Sequence, residues 1–201
     1  MPSSIKPIFL LLLLSLVTGC SLLSRQTSDP LQLSLDQRQQ QLLAMQRFTL
    51  QATLSIKTPA ESISGNLRWQ QLHSEHFQAR MANIMGMSLF ELSQNELGSQ
   101  LKLRGETYQA MDASSLLWQL AGWSMPLADM PLWLRGIPGK GAIDIQYDEQ
   151  GRVKAFNLTD STGIHWQLQY HSFFNDSLSL PRQMQLNSDD TQIRLVIRSW
   201  Q

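Results

Sequence analysis

Phe48-Thr49-Leu50-Gln51-Ala52-Thr53-Leu54-Ser55-Ile56-Lys57 decides the fold. Phe48, Leu50, Ala52, Leu54 and Ile56 fall at every second position, with polar residues between them. A strand sends successive side chains to opposite faces, so this period describes one buried face and one wet one. Working outward, Thr58-Pro59-Ala60 turns the chain, and Ile63, Gly65, Leu67 and Trp69 alternate on a second strand. The same period returns in Phe77, Ala79 and Met81, in Phe90 and Leu92, and in Leu101 and Leu103 between Gly98 and Gly105, with Tyr108 and Ala110 on the strand after. Beyond residue 142 it resumes through Ile143, Ile145 and Tyr147, then Phe156 and Leu158, Ile164 to Tyr170, Met184 and Leu186, and Ile193, Leu195 and Ile197. About eleven short strands, with turn signals every eight to twelve residues, predict a mainly β fold. The expected architecture is an antiparallel β-barrel or strongly curved sheet.

Two interruptions are helical. Ser34-Leu35-Asp36-Gln37 has the form of a capping box, and Leu35, Leu42, Leu43 and Met45 recur at helical spacing, which predicts an N-terminal helix over about residues 35 to 46. Asp112, a good N-cap, precedes Leu116, Leu117, Trp118, Leu120 and Ala121 and then Gly122, which predicts a helix of about ten residues. A second short helix, about 128 to 135, carries Met130, Trp133 and Leu134 and stops at Gly136, with Pro138 beyond. Both segments are apolar over more than a narrow stripe. They are expected to form a short helical lid over the sheet.

Ahead of the domain lie a positive charge at Lys6, the apolar run Ile8 to Leu14, and Val17-Thr18-Gly19-Cys20. The run is too short to span a bilayer, which takes about 20 residues. A charged region, a short apolar region and small residues before a cleavage point form an export signal. The cysteine, the only one in the chain, makes the stretch resemble a bacterial lipobox. That resemblance implies a lipoprotein signal peptide over 1–19, lipid attachment at Cys20 and, with Ser21 rather than Asp behind it, sorting to the outer membrane. Residues 20–33 are expected to be a lipidated flexible tether facing the periplasm, and residues 34–201 a single domain.

Charge and motifs narrow the function. Lys plus Arg equals Asp plus Glu at 16 each, so no net field attracts nucleic acid or anionic lipid. A lone cysteine provides no disulfide. No phosphate loop, G-x-S-x-G elbow or H-E-x-x-H is present, and His73 with His76 lacks a third ligand at metal-binding spacing. We therefore expect no catalytic residues, no metal and no cofactor. One segment departs from turn chemistry: Asn83-Ile84-Met85-Gly86-Met87 lies between two strands but carries three apolar side chains.

The order of several motifs completes the reading. Trp69-Gln70-Gln71 at a strand end precedes Asn83-x-Met85-Gly86 and Phe90-Glu91-Leu92. Tyr108-x-Ala110-x-Asp112, Pro126-Leu127, Trp133 and Gly136-Ile137-Pro138-Gly139 follow. Together with the lipobox they resemble the LolB family, the outer-membrane acceptors of the bacterial lipoprotein-localisation pathway. The resemblance implies an incomplete, half-open antiparallel β-barrel with a helical lid, whose apolar cavity takes the acyl chains of lipoprotein cargo delivered by the periplasmic carrier LolA. It also implies a monomer held on the inner leaflet of the outer membrane by its own lipids. The family's protruding loop reads Asn-Pro-Leu-Gly, with its third position important for inserting cargo, so Ile84 stands at the Pro position and Met85 at the Leu position. Cavity candidates are the apolar strand and lid residues Leu54, Leu67, Trp69, Phe90, Leu92, Trp118, Trp133, Phe156 and Trp166. The alternative is a lipid-anchored structural or assembly subunit of the outer membrane with a filled core.

Overall fold

The computed structural model describes residues 33–121 and 125–201. Cys20, the signal peptide and the tether lie outside the described residues. Leu33–Gln201 forms one compact unit. It opens with α1 (Leu35–Ala44), whose predicted capping box is present in full: Ser34 Oγ accepts from the Gln37 N–H, and Gln37 Oε1 accepts from the Ser34 N–H.

The first meander is β1 (Phe48–Lys57), β2 (Ser62–Gln71), β3 (Phe77–Ala82), β4 (Ser88–Asn95), β5 (Gly98–Leu103) and β6 (Glu106–Ala110). The second is β7 (Ile143–Tyr147), β8 (Val153–Thr159), β9 (His165–Phe173), β10 (Pro181–Asn187) and β11 (Gln192–Trp200). All eleven join one antiparallel sheet in the order β6-β5-β4-β3-β2-β1-β11-β10-β9-β8-β7. The first and last strands therefore meet at its centre, with Leu54 opposite both Leu195 and Gly65. Among the described residues β6 and β7 are the edges of the sheet, which does not close into a barrel, as the resemblance implies.

The lid joins those edges. α2 (Ala113–Ala121) starts where Asp112 Oδ1 accepts the Ser115 N–H at 2.9 Å. A 3₁₀ turn over Leu127–Asp129 runs into α3 (Met130–Leu134). The sequence predicts one helix over 128 to 135. Pro131 lies in the first turn of α3, so the ring occupies a position where the missing N–H costs least, and the preceding residues tighten into 3₁₀ form. The Gly136 N–H donates to the Trp133 carbonyl and the Ile137 N–H to that of Leu132, with Gly136 at φ +79°, which closes the helix as a Schellman motif.

β7 departs from expectation. Ile143 and Tyr147 alternate as if half buried, yet both are more than half exposed. The reason is its edge position combined with Asp144 at φ +53°, which breaks the register against β8. An irregular, charged edge also resists pairing with a second sheet.

Candidate functional site

The inward face of the sheet and the underside of the lid enclose an apolar cavity of about 150 Å³. Its walls come from β1–β5, β10 and β11, with Leu117 and Leu120 of α2 and Leu127, Met130 and Leu134 of the second lid segment above them. Met184, Leu186, Ile193 and Leu195 close the side beyond the central seam. Glu61 is its one charged lining residue and is itself exposed.

Strand direction places the loop relative to the cavity. β1, β3 and β5 all run toward one end of the sheet, where the β1–β2, β3–β4, β5–β6 and β10–β11 turns lie. Ile56, Glu61, Ile63, Leu103, Leu186 and Ile193 all line the cavity near that end. The Asn83–Met87 loop projects from the same end.

Among the predicted cavity residues, the structure gathers Leu54, Leu67, Trp69, Phe90 and Leu92 around this space. Trp69 is fixed there by stacking on Phe77, with ring centroids 4.3 Å apart, and by donating Nε1–H to Gln71 Oε1 at 2.9 Å. Trp118, Trp133, Phe156 and Trp166 lie elsewhere. Trp118 points away from the sheet and is half exposed, because it sits opposite the buried Ala113 and Leu116 stripe of α2. Trp133 and Phe156 pack against each other at 6.0 Å over β8, and Trp166 donates Nε1–H to the buried Asp160. These three fill the β8–β9 side of the core.

The loop is built by its first residue. Asn83 Oδ1 accepts from the N–H of Met85 and of Met87, both at 3.0 Å. The Asn83 N–H donates to the Met87 carbonyl, the Gly86 N–H donates to the Asn83 carbonyl, and Gly86 takes φ +83°. With the backbone satisfied within the loop, no side chain needs to fold back. Ile84 is 92 % exposed, Met85 80 % and Met87 59 %. Asn83 thus takes part in all four of these loop hydrogen bonds.

Sequence reasoning missed Arg135. At the C-cap of α3 and buried, it donates Nε–H to the Pro131 carbonyl at 2.9 Å and Nη1–H to the carbonyls of Leu42 and Met45 at 2.8 Å. It satisfies carbonyls at the C-terminus of α1 and ties the lid to that helix. Burial lowers its pKa from the ordinary guanidinium value. Nothing in the sequence around Arg135 distinguishes it from a solvated cation. Nearby, Tyr170 Oη–H donates to the Trp133 carbonyl at 2.7 Å, and burial holds that phenol above its ordinary range. Among the described residues no group of three His, Cys, Asp or Glu side chains is placed to hold a metal.

Known proteins share both the sequence and the architecture. A LolA-superfamily protein of Nitrosomonas europaea superposes with a TM-score of 0.53 over 81 % of this chain and 92 % of its own, at 8 % identity, a likeness of fold alone. An outer-membrane lipoprotein LolB of Shewanella baltica is 32 % identical over 195 residues, covering 96 % of this chain and 87 % of the relative. One of Tolumonas auensis is 29 % identical, covering 95 % and 94 %. A family model described as Outer membrane lipoprotein LolB matches residues 46–200, from the start of the sheet through loop, lid and seam to the last strand. The chain belongs to the LolB family of outer-membrane lipoproteins.

Proposed function

We propose that this protein is an outer-membrane-anchored acceptor. It takes lipoproteins from the periplasmic carrier LolA by binding their acyl chains in the cavity, and it inserts them into the outer membrane. The observation that carries the reading is the apolar space between sheet and lid, whose lining reaches the end of the sheet that bears the exposed loop. Acyl chains must stay out of water during handover, at about 0.8 kcal/mol per methylene, so donor and acceptor cavities meet mouth to mouth. An affinity gain of about 1.4 kcal/mol biases transfer tenfold. Release into a bilayer needs no nucleotide, because the leaflet offers the chains an apolar medium without confinement.

The size of the space adds a step. An apolar cavity of about 150 Å³ holds a molecule the size of benzene, so long acyl chains require the walls to part. The lid is the wall that moves in this scheme, since α2 and the 125–134 segment rest on the sheet through apolar side chains. Cys20, outside the described residues, is the proposed lipid attachment site and governs where the protein works.

The test mixes LolA loaded with labelled lipoprotein with a version of this chain beginning at Ser21. Label is expected to move to the acceptor, and retention on the carrier would defeat the proposal. Met85→Glu is expected to accept cargo as the parent does but to lose delivery into liposomes by tenfold or more, in line with the cost of about 1.4 kcal/mol that such a factor represents. Normal delivery by that variant removes the loop from the mechanism.

A further inference from the structure

We propose that the outer face of β1–β5 beside the Asn83–Met87 loop is a docking surface for anionic phospholipid headgroups. It seats the domain against the leaflet with the loop directed into it. The proposal goes beyond cargo binding and stands whether or not the cavity takes acyl chains.

The chain is formally neutral, yet its charges are segregated. On the outer face of β1–β5 the cations are Lys57, Arg68, Arg80 and Lys102, against the single acid Glu91. Register sets three of them in one row across the strands: Arg68 opposite Arg80, Arg80 opposite Glu91, and Glu91 opposite Lys102. Like charges directly opposite each other destabilise a sheet, so the Arg68 and Arg80 pair is not explained by folding. Glu91 answers Arg80 at 3.3 Å in an exposed pair, which contributes little and leaves two cations uncompensated. The row lines a shallow polar groove with Gln78, Ser93 and Gln100.

A second observation concerns Arg104. It occupies the two-residue β5–β6 turn with Gly105, at φ +53° and +88°. This primed turn favours Asn, Asp or Gly at its first position, where the left-handed conformation strains other residues. An arginine here runs against local preference.

Position links these cations to the loop. Neighbouring strands lie about 4.8 Å apart, so the tips of the β1–β2, β3–β4 and β5–β6 hairpins stand about 10 Å from one another in a row. The middle tip offers Ile84 and Met85 to solvent, and Lys57, Arg80, Lys102 and Arg104 flank it. Two acids are close, but both lie toward the inner side: Glu61 lines the cavity, and Glu106 is opposite the inward-facing Leu103. An apolar tip ringed by cations matches a leaflet surface, with hydrocarbon beneath a layer of phosphates.

The test uses the lipidated full chain in vesicles of phosphatidylcholine alone or with about one third phosphatidylglycerol, and reads lysine acetylation by mass spectrometry. Lys57 and Lys102 are expected to be protected about fivefold or more in the anionic vesicles only, and to lose protection at high salt, while Lys154 on β8 reacts equally in both. Arg68→Gln/Arg80→Gln/Arg104→Gln is expected to abolish protection of Lys102 while accepting labelled lipoprotein as the parent does, which separates this surface from the cavity. Arg104→Asn, favoured in the turn and so safe for folding, is expected to lower protection about fivefold by itself. Equal reaction of Lys57, Lys102 and Lys154 in both vesicles overturns the proposal. Protection that survives both variants also overturns it, as does equal protection by inorganic phosphate on neutral vesicles, which assigns the groove to a free anion.

Discussion

The two sides of the sheet share one sequence pattern and end in opposite packing states. On the β1–β5 side, inward residues such as Leu67, Phe90, Leu92 and Leu101 surround empty space. On the β8–β9 side, Phe156, Trp166 and Leu168 are 2 % exposed or less and meet Trp133 from the lid. Alternation says which face is apolar. Whether that face is filled depends on how much side-chain volume the lid lowers onto it: over the cavity it brings Leu117, Leu120, Met130 and Leu134, whereas over β8 it brings the Trp133 indole.

The contrast can be broken most sharply by truncation. Phe156→Ala should cost about 3–5 kcal/mol in urea denaturation, because it opens a void in a packed region. Leu92→Ala, which enlarges a space already present, should cost nearer 2 kcal/mol, the low end for that change. Equal costs would erase the distinction between hollow and filled sides. Arg135→Leu comes next, at about 2–3 kcal/mol, since it strands the carbonyls of Leu42 and Met45 in a buried setting. Its loss should also raise the rate at which an apolar fluorescent probe enters, if the tie between α1 and the lid restrains opening.

Ala79→Leu sharpens the comparison from the other direction. Ala79 lines the cavity, so the added side chain should leave stability within about 1 kcal/mol while cutting probe uptake about tenfold. The smallest effect belongs to the β7–β8 turn on the filled side. There burial alone would raise the Asp148 carboxyl, but hydrogen bonds from the Arg152 N–H and guanidinium and from the Gln150 N–H outweigh it and hold the group below its ordinary value. A depressed carboxylate contributes stability above its unfolded pKa of about 3.9 and loses it as pH falls through the folded value. Asp148→Asn should therefore cost under about 1 kcal/mol at neutral pH, and the gap to the parent should close below about pH 4.

Legibility in the sequence followed the range of the interaction. Strands, capping box, Asp112 cap and Gly136 stop are local, written within a few residues, and they were readable from β1 to β11. Asn83 is local too, since an Asx turn is visible in Asn-x-x-Gly. The nine cavity candidates depended on contacts between distant segments, and periodicity could not divide Leu54 or Trp69 from Phe156 or Trp166. Trp118 was misplaced because the apolar surface of α2 extends around most of the helix, which hides the narrow stripe of Ala113 and Leu116 that touches the sheet. Arg135 was invisible for a related reason: its partners are backbone carbonyls some ninety residues away, and carbonyls leave no mark in a sequence.

The pairing of β1 with β11 carries a consequence for how the chain acquires its shape. Each meander can zip from neighbouring hairpins, which fold in microseconds. The seam joins residues about 140 positions apart, and Thr49 and Gln201 exchange both backbone hydrogen bonds across it. Contacts of such high order are slow to form. Until the final strand is available, β1 and β10 both present bare edges, each a template for a neighbouring molecule. The nine residues of β11 therefore decide whether a newly made chain becomes one curved sheet or the seed of an aggregate, long before any cargo reaches it.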